Sequence, residues 1–73
     1  MLIMSQYKKM LIPFEMIASL YVDGCEIKIA YLLTYKEDDT IGVYQDEQKA
    51  KEVLRLIYNR YERGHKVFEM PEE

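Results

Sequence analysis

Three observations predict a small α+β fold for this chain: an antiparallel sheet of about five strands, one long amphipathic helix across its apolar face, and a short C-terminal strand. Alternating apolar and polar residues flank an Asp23-Gly24 pair, as in a hairpin. Apolar residues recur at helical spacing from Ala50 to Tyr61, between an Asp and a Gly that suit the two helix ends. The 73 residues leave room for one domain, residues 1–73, and for little of the second layer that walls a deep cleft.

The elements follow in order. LIMS and KMLIP are short apolar runs around Gln6, Tyr7 and Lys8, predicting strands near residues 2–5 and 9–12. Pro13 has no amide hydrogen to give to a ladder and so ends the second or places it at an edge. Strands near 16–22 and 25–33 form the next hairpin. With Asp23 and Gly24 as a type I′ loop, Val22 pairs with Cys25, Leu20 with Ile27, Ala18 with Ile29 and Met16 with Tyr31. A charged connection covers residues 36–40, and a strand near 41–45 carries Gly42, which signals a bulge or a close packing contact with the helix.

The helix is expected near 47–63. Asp46 sits where an N-cap belongs, Glu47 suits the helix dipole, and Gly64 closes the helix from the C′ position. Its stripe is Ala50, Val53, Leu54, Ile57, Tyr58 and Tyr61. Val67, Phe68 and Met70 then make a strand near 66–70. If it ran parallel to the strand before the helix in one sheet, the crossover would be right-handed.

Composition narrows function. No apolar run approaches the ~20 residues that span a bilayer, and the start MLIMSQYKK does not read as a signal peptide, because its charges follow the apolar run. The single Cys25 fits a reducing cytoplasm. Five of the ten basic residues lie in the helix, yet acids interleave with them, as in Glu47 with Lys51 and Glu52 with Arg55. That pattern is a solvated face and argues against direct nucleic-acid binding, which needs unpaired positive charge.

Catalytic groupings are sparse. His65 and Cys25 are each the only residue of their type, and Cys25 stands beside Asp23 and Glu26, whose charge disfavours a thiolate. Asp38 and Asp39 with Asp23 and Glu26 lack a calcium-loop spacing. The chain is therefore read as non-catalytic, without cofactor or metal. Seven tyrosines favour contact surfaces, since the ring supplies apolar area and the hydroxyl tolerates water. Leu56 falls off the helical stripe among Lys49, Arg60 and Arg63, an arrangement that suits either an ordinary exposed leucine or part of a contact.

LIMSQYKKMLIPF, IGVYQDEQKAKEVLRLIYNRYE and KVFEMPEE together resemble a group of short proteins of Gram-positive bacteria and their phages. The resemblance covers both ends of the chain. The group usually carries a Ser-Gln-Asp turn where this chain has Ser5, Gln6 and Tyr7, and Thr or Ser where it has Asp46. It implies a mobile-element accessory protein of the kind that occupies a host protein, and no catalytic residue.

The expected function is a small protein-binding module that inhibits a host defence or regulatory protein. Its candidate contacts are Tyr35, Glu37, Asp38, Asp39, Leu56, Arg60 and Arg63. A protein partner and a homodimer or higher oligomer are expected, since a chain this short buries only about 60% of the surface it exposes when unfolded. Two alternatives stay open. One is an oligomeric nucleotide binder, with Tyr31, Tyr35, Tyr44 and Tyr61 stacking the base and Arg60 and Arg63 on the phosphates. The other is a structural homodimer without ligand.

Overall fold

Hydrophobic alternation and one capped helix organise the chain into two small sheets around a shared core. The structure is a computed structural model that describes residues 1–32 and 36–72. In order come β1 (Leu2–Met4), β2 (Leu11–Pro13), a 3₁₀ turn (Phe14–Met16), β3 (Ile17–Asp23), β4 (Glu26–Tyr31), β5 (Asp39–Val43), α1 (Glu47–Glu62) and β6 (Val67–Glu69). The fold is α+β, as the sequence predicts.

Its sheet arrangement departs from expectation. Among the described residues six strands form two sheets, β2-β1-β6 and β3-β4-β5, rather than one sheet of about five strands. The cause lies at Pro13. It ends β2 after three residues, and the 3₁₀ turn that follows redirects the chain, so β3 starts a separate sheet. β1 then pairs with β2 antiparallel and with β6 parallel. Since β5 and β6 lie in different sheets, no crossover unit forms around the helix.

The β3–β4 hairpin forms with a different register from the one expected. Asp23 pairs with Glu26, Val22 with Ile27 and Leu20 with Ile29, so the loop is Gly24-Cys25. Gly24 has φ of 62° and Cys25 has no positive φ, which is the type II′ pattern, with glycine first. The pairing slides by two residues, an even number, so Leu20 and Val22 still share a face with Ile27 and Ile29. Bulges follow at Ala18 in β3 and at Ile41 in β5, each the extra residue between two pairings.

The core takes Ile3, Ile12 and Phe68 from one sheet, Ile27, Ile29 and Ile41 from the other, and Ala50, Val53 and Ile57 from α1. Tyr44 and Met70 fill the seam between the sheets. Gly42 stands beside that seam: a Cβ there would lie 2.8 Å from the Tyr44 ring and 2.9 Å from the Met70 methyl group. Gly42 thus borders the β5 bulge, one of the two roles expected of it, and its close contact is with Tyr44 and Met70 rather than with the helix.

Candidate functional site

Because α1 is anchored at both ends, its faces are well defined. Asp46 Oδ1 accepts the Lys49 N–H at 2.8 Å. At the other end His65 N–H bonds the Arg60 carbonyl and Gly64 N–H the Tyr61 carbonyl, the paired bonds of a Schellman motif. Between these caps only Ala50, Val53 and Ile57 are buried. The apolar stripe is wider than the core beneath it. Leu54 is half-buried, while Tyr58 and Tyr61 are 54% and 53% exposed.

The surplus of that stripe forms one wall of a groove. Leu54, Tyr58 and Tyr61 stand at i, i+4 and i+7, facing Phe14 from the 3₁₀ turn and Leu20 from β3. Phe14 and Tyr61 stack with ring centroids 4.6 Å apart and planes 22° apart, which closes one end. The groove has a volume of about 400 Å³, and its charged lining among the described residues is Lys51 and Arg55. Arg55 lies over the Tyr58 ring at 5.4 Å, and no ion pair holds it among the described residues. Lys51 is 3.8 Å from Glu47 on the solvated side. The result is an apolar floor with cations at its rim.

The candidate contacts named from the sequence fall elsewhere. Leu56, Arg60 and Arg63 share another face of α1, with Leu56 37% exposed and Arg60 half-buried. Tyr35 lies outside the described residues. Glu37 is exposed in the connection before β5, but Asp38 and Asp39 are engaged within the chain. Asp38 accepts the Tyr21 hydroxyl, and Asp39 accepts the Tyr31 hydroxyl and pairs with Lys36 at 3.1 Å. Burial and the Asp39 carboxylate push the Tyr31 phenol up to about 12, while the Tyr31 hydroxyl and Lys36 hold Asp39 below the usual carboxylate range. No hydrogen bond or ion pair among the described residues joins this acidic group to the Leu56 face.

Other sequence candidates separate as well. Tyr44 is 3% exposed and donates its hydroxyl to the Pro71 carbonyl, so its ring belongs to the core and is not free to stack a base. Cys25 sits in the β3–β4 turn and His65 just beyond α1. Asp23 pairs with Lys28 at 3.1 Å and Glu26 accepts the Thr40 hydroxyl. Among the described residues, no three His, Cys, Asp or Glu side chains gather as a ligand set, and no helix is long and apolar enough to cross a membrane.

Reading α1 alone misses the groove, because Phe14 and Leu20 complete it from distant parts of the chain. The available signal was the width of the stripe. Six apolar positions on a helix of 16 residues exceed what a sheet this small can cover. Compared with protein families, curated proteins and solved structures, the chain matches no family model, no curated protein and no solved structure.

Proposed function

We propose that this chain is a small non-catalytic protein-binding module and that the groove between α1, the 3₁₀ turn and β3 is its docking site. The observation that carries this reading is the pair Tyr58 and Tyr61, both more than half exposed beside Phe14 and Leu20. Exposed tyrosines around an apolar floor are the usual material of binding hot spots, and a cationic rim steers acidic partners. The resemblance to phage and mobile-element proteins supports a host defence or regulatory protein as the target, with inhibition by occupancy as the mode of action.

Affinity capture from a Gram-positive host lysate tests this reading when the wild-type chain is compared with the Tyr58→Ala/Tyr61→Ala double variant. One host protein should be retained by the wild type at near-equal molar amounts and lost from the variant, whose far-ultraviolet circular dichroism stays unchanged. Equal retention by both chains would rule out the groove, and no stoichiometric host protein at all would rule out the module.

A further inference from the structure

Among the described residues, the four sheet edges are treated unequally. β2 is three residues long and ends in Pro13, and β6 is also three residues long. β5 has its edge occupied: Gln6 N–H bonds the Ile41 carbonyl, and the Gln6 side-chain amide bonds both the N–H and the carbonyl of Val43 at 2.7 and 2.9 Å. β3 has none of these protections. It runs for seven residues without proline, and its first charge is Asp23 at the end. Long edges of this kind are templates for another strand.

The hydrogen-bond phase of β3 decides what can be added. A two-residue loop makes Asp23 and Glu26 a hydrogen-bonded pair, so Ser19, Tyr21 and Asp23 bond toward β4. Leu20 and Val22 then turn their N–H and carbonyl groups to the open side. No hydrogen bond outside the β3–β4 ladder reaches either residue among those described. The bulge at Ala18 limits the regular edge to residues 19–23, whose midpoint is Tyr21.

We propose that a second copy of this chain pairs with β3 antiparallel across a two-fold axis at Tyr21, joining two three-stranded sheets into one of six strands. This register sets Leu20 of each copy opposite Val22 of the other, which satisfies all four open backbone groups of each strand. It also brings together Leu20 and Val22 side chains that are half-buried against their own cores, so the apolar layer continues across the axis. Charges agree with it, because Asp23, already paired with Lys28, falls opposite the uncharged Ser19. A second copy is favoured over a foreign strand because the same five residues complement themselves.

Sedimentation equilibrium of the full chain, with amide hydrogen exchange by NMR, tests the proposal. The wild type should reach twice the 8.8 kDa chain mass, with the Leu20 and Val22 amides protected. Tyr21→Lys sets two ammonium groups face to face at the axis on the polar side of the sheet. It should weaken association at least tenfold and release both amides to exchange, while the β4 amides stay protected. Leu20→Pro, which removes an outward donor, should act in the same direction. A wild-type chain that remains monomeric up to about 1 mM overturns the proposal. So does a dimer in which the Leu20 and Val22 amides exchange freely. Tyr21 is not in the groove, whereas Leu20 is, so Tyr21→Lys is the variant that should keep its host partner, and failure of one reading leaves the other standing.

Discussion

Gln6 uses a buried primary amide as a clip between the two sheets. It gives and takes hydrogen bonds with Val43 in β5 and also donates to the Pro71 carbonyl at 3.3 Å, beyond β6. Gln6→Ala removes both hydrogen bonds to the Val43 backbone and should lower unfolding free energy by about 2 kcal/mol, readable as a lower urea midpoint at unchanged slope. Tyr31 predicts a pH effect. Its folded pKa lies above the ordinary 10.0, at about 12, so its contribution is complete below pH 10 and is lost as pH rises toward 12. Spectrophotometric titration should show tyrosine ionisation near 12 that is diminished in Tyr31→Phe. Neither residue was legible in the sequence: a Gln in a turn reads as solvated, and the Tyr31–Asp39 contact depends on where β5 begins. Asp39 supplies the mirror case, since its lowered pKa adds stability that is lost as pH falls below its ordinary 3.8.

At the scale of elements, local chemistry was the more legible part. The capping roles of Asp46 and Gly64 follow from their types and positions, and both hold. Asp46→Ala should cost about 1 kcal/mol, measured by thermal unfolding, because the Lys49 N–H loses its acceptor. The β3–β4 hairpin shows what pattern leaves open. Two registers place the same apolar residues on the same face, and only the turn chooses between them, here with Gly24 first rather than second. Gly42 was legible as a special position but not by contact. Gly42→Ala would push into the Tyr44 ring, which is fixed by its bond to Pro71, and should cost about 1–3 kcal/mol in denaturant unfolding.

For the molecule as a whole, the division into two sheets was out of reach, because alternation shows which face of a strand is apolar and not which strand lies beside it. The groove shares that limit: its helical wall is visible in the stripe, and its other wall arrives through the redirection at Pro13. The parallel pairing of β1 with β6 has one more consequence, in the order of synthesis. Ile3 lies beside Phe68 across that pair, so Ile3 is made well before the residue it pairs with. The hairpin of β3 and β4 can close early, being local, whereas the first sheet cannot be completed until β6 has been translated. A nascent chain stalled after α1 would therefore display Ile3 to chaperones and proteases, and a stop codon before Phe68 should yield a product that is degraded rather than one that is merely shorter.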